Sequence, residues 1–201
     1  MEFRQLAVPH AVKVIPRHIR DARGCFYEQF RRQELAAVVG HPFTLAQVNH
    51  SVSRRGTLRG IHSVLTPPGQ AKFVTCLRGA ILDIVVDIRV GSPTFGVYDV
   101  TVLDDRSGAA VYVAEGLGHA FLALTDQACV SYLCSTPYVP GTPFEIDPLD
   151  PELNLPWPLR GEPLMSEKDR NAPSLAEAKE RGLLPDYQDC LKLYEKLRSA
   201  G

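Results

Sequence analysis

The middle of the chain alternates apolar and polar positions in the way that is typical of β-strands. Short runs rich in Val, Ile, Leu and aromatic residues are separated by Gly, Pro, Asp or Ser at intervals of about 8 to 12 residues. The runs are LAQVNHSVS (45–53), KFVTCLRG (72–79), AILDIVVDIRV (80–90), GVYDVTVL (96–103), AAVYVAEG (109–116), HAFLAL (119–124) and ACVSYLCS (128–135). No βαβ rhythm accompanies them. The pattern predicts a β-sandwich or β-barrel with its sheet core at about residues 43–136.

Helical patterns are predicted only in the C-terminal tail, at about residues 174–199. SLAEAKERG begins with Ser174, has Glu177 three residues later and ends before Gly182, which predicts a capping box and a glycine stop. A second helix is predicted over residues 186–200, DYQDCLKLYEKLRSA, whose apolar side chains share one face. The tail is therefore expected to end the chain in two helices.

Length and composition limit the classes of function. With 201 residues, the chain has the length of a single domain spanning residues 1–201, in which the proline-rich residues 137–163 form an irregular strap. Its formal net charge of −1 argues against a general nucleic-acid or membrane-surface binder. The five cysteines are widely spaced and lack a CxxC pair, which indicates a reducing compartment. Because no stretch approaches the roughly 18 apolar residues of a membrane span, we expect a cytoplasmic protein.

Several chemically active side chains lie in or beside the predicted strands. The stretch RGIHSVLTPPGQAKFV brings Arg59, His62 and Lys72 into a strand, a turn and a second strand. Residues two apart in a strand share a face, so Arg59 and His62 need a local twist or a bulge to reach one cavity. His119 and Tyr132 stand in apolar strands, where a buried ring needs hydrogen-bond partners. The residues alone leave two interpretations open. The side chains are scattered over the surface, or they converge on one site that binds an anion and contains a base.

Six segments distributed over nearly the whole chain point to a known family. They are DARGCFYEQF (21–30), QVNHSVSRRGTLRGIH (47–62), PPGQAKFVTCLRGAILDIVVDIRVGSPTFG (67–96), EGLGHAFLAL (115–124), the segment from Tyr132 to Tyr138, and MSEKDRNAP (165–173). In this order they resemble the dTDP-4-dehydrorhamnose 3,5-epimerase family. Beyond these segments the chain continues into GLLPDY (182–187). With this extension it is more similar to the epimerases of antibiotic deoxysugar pathways than to the rhamnose enzymes of cell-wall synthesis.

The resemblance implies a mainly β fold, a cupin-type jelly-roll barrel with C-terminal helices. It also implies a homodimer in which N-terminal strands extend the partner's sheet. Metal-binding cupins use an HxH pair, and this chain has Ser63 and Val64 after His62 instead. We therefore expect no metal and no other cofactor, and a dTDP-4-keto-6-deoxyhexose as substrate.

The family's chemistry assigns roles to four side chains. A ketone at carbon 4 of the sugar acidifies the protons on carbons 3 and 5, so a base can remove one of them and leave an enolate. By motif position, the resemblance implies His62 as the base and Asp169 as the carboxylate that orients its ring and stabilises its cation. It implies Tyr132 as the acid that reprotonates the opposite face, and Lys72 as the cation beside the carbon 4 oxygen.

Further positions match the family's substrate-binding residues. Guanidinium groups suit the oxygens of a diphosphate. The implied set comprises Arg23 and Arg59 at the diphosphate, Gln47 and Asn49 as neutral donors in the same region, Phe26 and Glu28 at the nucleoside, Tyr138 stacked on thymine, and His119 as a polar support near the sugar.

Two departures from the family pattern leave the reacting carbon open. Ser63 stands where many relatives carry an aromatic residue, and Pro148 stands where the rhamnose enzymes often carry Trp. We expect a one-carbon enzyme acting at carbon 3. The alternatives are a 5- or 3,5-epimerase, a ketoisomerase acting on the same substrate class, and a non-catalytic dTDP-sugar binding protein. Asp83 and Asp87 in ILDIVVD are interpreted as structural acids.

Overall fold

The computed structural model describes residues 1–199, which form two antiparallel β-sheets, a separate hairpin and helices. The strands are β1 (Glu2–Gln5), β2 (Ala11–Ile15), β3 (His18–Asp21), β4 (Gly24–Tyr27), β5 (Gln47–Ser53), β6 (Leu58–Val64), β7 (Lys72–Arg78), β8 (Ala80–Val86), β9 (Tyr98–Asp104), β10 (Ala110–Val113), β11 (Gly118–Ala123), β12 (Ala128–Cys134) and β13 (Pro143–Glu145). The helices are α1 (Arg32–Val39), α2 (Glu167–Arg170), α3 (Leu175–Glu180) and α4 (Tyr187–Ser199).

The two sheets pack on a shared apolar core. One sheet has the strand order β1-β2-β10-β7-β12-β5, and the other has the order β13-β6-β11-β8-β9. Val74 of β7 belongs to the same buried cluster as Ile81 and Val85 of β8 and Phe121 of β11. Burial of such side chains from both sheets removes apolar surface from water and holds the sheets together. The predicted sandwich or barrel is confirmed.

The sequence pattern located the central strands and the tail helices. The seven predicted runs overlap β5 and β7 to β12. Ser174 accepts a hydrogen bond from the Glu177 backbone N–H, and the Glu177 side chain accepts one from the Ser174 backbone, so the predicted capping box is present. Helix α4 begins at Tyr187, because the Asp186 carboxylate accepts hydrogen bonds from the backbone N–H groups of Gln188 and Asp189 in the first turn. The predicted last helical residue, Ala200, lies outside the described residues.

The expectation that only the tail at about residues 174–199 is helical is wrong, because the short helix α2 precedes the tail and α1 lies between the hairpin and β5. Its first turn offers little signal in the sequence, since Arg31 occupies the N-cap position without a side-chain capping bond. Leu35 is its buried residue, so the apolar stripe that marks a helix is narrow. Gly40 ends the helix at φ +88°, and its N–H donates to the Ala36 carbonyl.

The ends of the sheets also differ from the predicted core. Strands β1 and β2, before residue 43, belong to the six-stranded sheet, and β13 adds a short strand within the proline-rich strap. Strand β5 forms one edge of the six-stranded sheet, and its outward side chains Val48 and Val52 are exposed. Among the residues that the structure describes, no helix is long and apolar enough to cross a membrane.

Candidate active site

Side chains from both sheets line a cavity of about 220 Å³ at one end of the barrel. The six-stranded sheet contributes Gln47, Asn49 and Lys72, the five-stranded sheet contributes His62, and the strap contributes Tyr138. A second cavity of about 470 Å³ adjoins it, and His62 lines both. His62 is therefore exposed to both cavities.

A bulge in β6 places Arg59 and His62 on one face of the sheet. His62 pairs with His119 of β11, whereas Arg59 pairs with Phe121, so Gly60 and Ile61 of β6 lie opposite the single residue Ala120 of β11. Gly60 provides the extra residue at φ +105°, and a Cβ on it would lie 2.5 Å from the His119 carbonyl oxygen. The local irregularity that the sequence requires for Arg59 and His62 to share a cavity is present.

His62 and Asp169 form a close pair. The His62 Nε2 atom lies 2.7 Å from Asp169 Oδ1, with the imidazole 42% exposed and the carboxylate 4% exposed. The Asp169 N–H donates to the Ser166 hydroxyl at 3.1 Å, which fixes the start of α2. Burial acts to raise the pKa of Asp169, but hydrogen bonds from His62 and Ser166 and the nearby charges outweigh it, so the pKa lies below its ordinary value. The pair is an ionised carboxylate behind an accessible imidazole.

A second histidine–carboxylate pair lies deeper, on neighbouring strands. His119 Nε2 is 2.6 Å from Asp83 Oδ2, and both side chains are buried. The His119 ring meets the Tyr132 ring edge-on, with centroids 6.1 Å apart. The predicted site residue His119 is thus adjacent to the predicted acid. Asp83 also belongs to this group through its contact with His119.

Tyr132 projects from β12, in the sheet opposite His62. Its hydroxyl oxygen lies 3.5 Å from Ser51 Oγ on the adjacent strand. Burial raises the pKa of Tyr132 well above its usual range, so the hydroxyl keeps its proton at neutral pH. His62 and Tyr132 project from different sheets, and Tyr132 is not among the residues that line the two cavities beside His62.

Lys72 begins β7 and lines the smaller cavity together with His62. Burial lowers the pKa of Lys72, and the neighbouring Cys134 acts in the opposite direction. An ammonium with few competing water molecules interacts more strongly with a negative oxygen than an exposed one does.

Three of the other predicted residues, Gln47, Asn49 and Tyr138, form a hydrogen-bonded polar rim on the smaller cavity. Gln47 Nε2 donates to Asn49 Oδ1 at 2.9 Å, and the Tyr138 backbone N–H donates to Gln47 Oε1 at 2.7 Å. The Tyr138 residue is 62% exposed at the cavity mouth. Arg59 lines the larger cavity, where its Nε donates to Ser53 Oγ at 3.1 Å. The structure therefore places the predicted residues Gln47, Asn49 and Tyr138 at the smaller cavity and Arg59 at the larger one.

Three predicted binding residues lie elsewhere on the chain. Arg23 and Phe26 belong to the β3–β4 hairpin and Glu28 follows it, and none of them lines the cavities beside His62. The Arg23 guanidinium is paired with Asp21 at 2.6 Å, and Phe26 is 69% exposed. Glu28 is paired with Arg31 at 2.8 Å. Within one chain, the structure does not bring these residues to the other site residues.

Sequence reasoning missed Glu145 and Lys168. Glu145 of β13 pairs in register with His62 and lines both cavities. Its Oε1 lies 2.7 Å from Lys168 Nζ, which stands next to Asp169 on α2. Their ion pair joins the strap to the helix that carries Asp169. The sequence could have indicated Lys168, because it directly precedes the predicted site residue Asp169. It could not have indicated Glu145, whose position depends on long-range strand pairing with His62.

The two departures from the family pattern occupy packed positions. Ser63 lines the smaller cavity, and its hydroxyl donates to the Leu117 carbonyl at 3.0 Å. The Pro148 carbonyl accepts a hydrogen bond of 2.8 Å from Trp157 Nε1. An effect of either residue on the sugar pocket stays a prediction.

Comparisons with known proteins agree with this geometry. A family model described as dTDP-4-dehydrorhamnose 3,5-epimerase matches residues 5–177. The chain is 48% identical over 198 residues to the dTDP-4-dehydrorhamnose 3,5-epimerase of Mycolicibacterium smegmatis, with 98% of each chain covered. It is 50% identical over 190 residues to the dTDP-4-dehydrorhamnose 3-epimerase of Streptomyces niveus, with 94% of this chain and 91% of that protein covered.

The solved structure of ChmJ, a 3'-monoepimerase from Streptomyces bikiniensis in complex with dTDP-quinovose, matches with a TM-score of 0.93 at 48% identity. The match covers 96% of this chain and 98% of that one. The predicted cupin-type fold is confirmed by such neighbours.

Proposed function

This chain belongs to the dTDP-4-dehydrorhamnose 3,5-epimerase family, and on that premise we propose that it epimerises a dTDP-4-keto-6-deoxyhexose at carbon 3. The observation that carries the proposal is the His62–Asp169 pair, 2.7 Å apart, at a cavity that Lys72 also lines. An isomerase of this kind needs a base, an acid and a cation for the enolate, and protein side chains supply all three.

His62 removes the proton next to the carbon 4 ketone. Asp169, whose pKa is held below its ordinary value, stays ionised and stabilises the imidazolium that forms. Its hydrogen bond to Nε2 leaves the other ring nitrogen, Nδ1, to act as the base. The electron pair of the broken C–H bond moves into the enolate.

The enolate oxygen acquires negative charge at carbon 4, and Lys72 stabilises it. Burial lowers the pKa of Lys72, and the same shielding from water strengthens its attraction to a developing anion. Removal of one donor that faces a developing oxyanion costs about 3 to 4 kcal/mol of transition-state stabilisation in comparable sites.

Tyr132 then protonates the opposite face of the same carbon. Its hydroxyl keeps a proton because burial raises its pKa, and it projects from the sheet that faces His62. A base on one side and an acid on the other invert the configuration of the carbon between them.

The substrate's nucleotide meets the polar rim and a second copy of the chain. In this proposal, Arg59, Gln47 and Asn49 bind the diphosphate region, Tyr138 stacks on thymine at the cavity mouth and His119 supports the sugar pocket. Arg23, Phe26 and Glu28 act in the site of a homodimer partner. Support comes from their location away from the cavities of their own chain and from the exposed edge strand β5.

Two kinds of observation support the choice of carbon 3 and the cytoplasmic location. Relatives named as 3-epimerases include the Streptomyces niveus protein and a Streptomyces protein that is 52% identical over 168 residues. The five cysteines are free, as suits a protein of a reducing compartment.

The test is proton NMR of dTDP-4-keto-6-deoxyglucose with the enzyme in heavy water. We expect deuterium to enter at carbon 3 alone, with coupling constants that report inversion there. His62→Ala should abolish exchange, whereas Tyr132→Phe should abolish inversion and leave His62-dependent exchange.

Other outcomes separate the alternatives. Exchange at both carbons identifies a 3,5-epimerase, and exchange at carbon 5 alone a 5-epimerase. A ketone displaced to carbon 3 identifies a ketoisomerase. Bound dTDP without any exchange identifies a non-catalytic binding protein and overturns the proposed activity.

A further inference from the structure

The proposed acid Tyr132 has a hydroxyl neighbour that the reaction scheme does not use. Its oxygen lies 3.5 Å from Ser51 Oγ. Two other polar groups lie near Tyr132: His119 Nε2 is held by Asp83 at 2.6 Å, and Arg59, which donates through Nε to Ser53 at 3.1 Å, acts on Tyr132 through its charge. Ser51 is therefore the hydroxyl positioned to exchange a hydrogen bond with the acid.

Strand pairing holds Ser51 at this position. Tyr132 of β12 lies opposite Asn49 of β5, and Ser51 is two residues further along β5, on the same face. Strand β5 is a sheet edge, and Ser51 is partly exposed there. A proton can thus reach Ser51 from the solvent side and Tyr132 from Ser51.

Donation by Tyr132 leaves a phenolate in surroundings that disfavour charge. Burial is what raises the pKa of this hydroxyl, and the hydrogen bond from Ser51 acts in the opposite direction. A phenolate without a donor would take its proton back from the new C–H bond or hinder the step that forms it.

We propose that Ser51 is the positioning and relay residue that stabilises the Tyr132 phenolate and returns a proton to it, an inference that rests on the proposed epimerase activity. In the inverting step, the enolate electron pair forms the new C–H bond as the Tyr132 O–H bond breaks. The Ser51 proton then passes to the phenolate oxygen while Ser51 takes a proton from water. His62 releases the abstracted proton to solvent, so protons balance over the cycle.

Ser51 should therefore control the fate of the enolate and leave its formation unaffected. An enolate that Tyr132 does not protonate regains a proton from His62 on the original face. In heavy water, this return gives deuterium exchange with retention, whereas protonation by Tyr132 gives inversion. The ratio of inversion to exchange measures how well the acid works, and a merely structural change would not alter it.

The experiment measures both rates by NMR for the wild type, Ser51→Ala, Ser51→Thr and Ser131→Ala. Ser131 is the matched control, because it precedes Tyr132 on β12 and points to the opposite face. We expect Ser51→Ala to slow inversion roughly ten- to a hundred-fold, as loss of a hydrogen bond to a charged group does, with exchange within about two-fold of wild type. Ser51→Thr should restore the ratio, and Ser131→Ala should leave it unchanged.

An unchanged ratio in Ser51→Ala, or an equal fall in both rates, overturns the relay. If the alanine variant does not fold, Ser51→Cys replaces the hydroxyl with a weaker donor in a slightly larger side chain and gives the same comparison. Absence of exchange in the wild-type protein would instead refute the epimerase activity itself, so the two failures are distinguishable.

Discussion

Asp169 combines a buried charge with a direct contact to the accessible imidazole of His62. An Asp169→Asn substitution keeps the shape and can still accept a hydrogen bond, but it removes the charge that stabilises the imidazolium. Loss of the corresponding charge in other histidine–aspartate pairs slows catalysis by up to about 10⁴-fold. We expect kcat to fall by roughly 10² to 10⁴ with KM little changed, measured by initial rates of epimerisation. A variant with near-normal kcat would contradict the role of Asp169.

The same carboxylate should leave a signature in the pH dependence of folding. Its pKa in the folded protein lies below the ordinary 3.8, so the folded state binds fewer protons than the unfolded chain in that range. The stabilisation is present above the ordinary pKa and is lost as the pH falls through the lowered value. Thermal unfolding from about pH 3 to 5 should show the melting temperature of the wild type falling relative to that of Asp169→Asn as the pH drops below about 4.

Individual site residues differed in how far the sequence could predict them. Arg59 and His62 were identified from one stretch, but alternation alone puts them on opposite faces, and the bulge at Gly60 that joins them is a property of pairing with β11. Asp83 was interpreted as structural because its partner His119 is distant in sequence and meets it only across the strands. Contacts that depend on register between distant strands leave no local signal.

Among the secondary structure elements, the central strands and the tail helices α3 and α4 were predictable, whereas α1 and the short helix α2 were not. The central strands have period-two alternation and turn residues at their ends, and α3 has the Ser174–Glu177 capping box. Helix α1 lacks a side-chain cap and has Leu35 as its buried residue, so its stability depends on packing against the sheet. Tertiary packing of that kind cannot be inferred from local pattern.

The bulge in β6 gives a prediction about one glycine. In Gly60→Ala, the added Cβ would lie 2.5 Å from the His119 carbonyl oxygen and 2.8 Å from Ala120, at a φ of +105°. Gly91 is a matched control, since its φ is +84° and nothing lies within 4 Å of the position that an added Cβ would take. Both variants should lose about 1 to 2 kcal/mol of unfolding free energy from the backbone conformation.

Gly60→Ala should lose roughly 1 to 3 kcal/mol more, because the backbone of β11 must move. It should also lose epimerase activity in the folded fraction, since Arg59 and His62 would no longer share a face. Urea unfolding and activity assays check both expectations. Equal stability of the two alanine variants would contradict the role of the close approach.

For the molecule as a whole, the position of the β3–β4 hairpin suggests a site shared between two chains. The hairpin and the residues after it are fastened to the turn before β10, where His18 Nε2 contacts the Ser107 carbonyl and Gln29 Nε2 donates to the Gly108 carbonyl, each at 2.9 Å. At the other end of β10, Val113 pairs with Lys72. Strand β10 has four residues, so its two ends are about 10 Å apart.

The exposed apolar surface fits the same arrangement. Phe26 and Ile19 on the hairpin are 69% and 60% exposed, and Val48 and Val52 lie on the free edge strand β5. Exposed apolar side chains and an unpaired strand edge favour association with another chain. A partner's hairpin beside β5 would bring its Arg23 and Phe26 near Gln47 and Asn49.

Complementation between inactive variants tests this arrangement. His62→Ala and Arg23→Ala, carried on separately tagged chains, should each give a nearly inactive homodimer. In the purified heterodimer, the chain with intact His62 would receive Arg23 from its partner, so one of two sites would be complete and activity should return to about half of wild type. A heterodimer of His62→Ala and Asp169→Asn is the matched control, because these two residues pair within one chain, so each site stays defective. Recovery in the control alone, recovery in neither, or a monomer in solution would refute the shared site, because Arg23 would then have to act on its own chain's cavity.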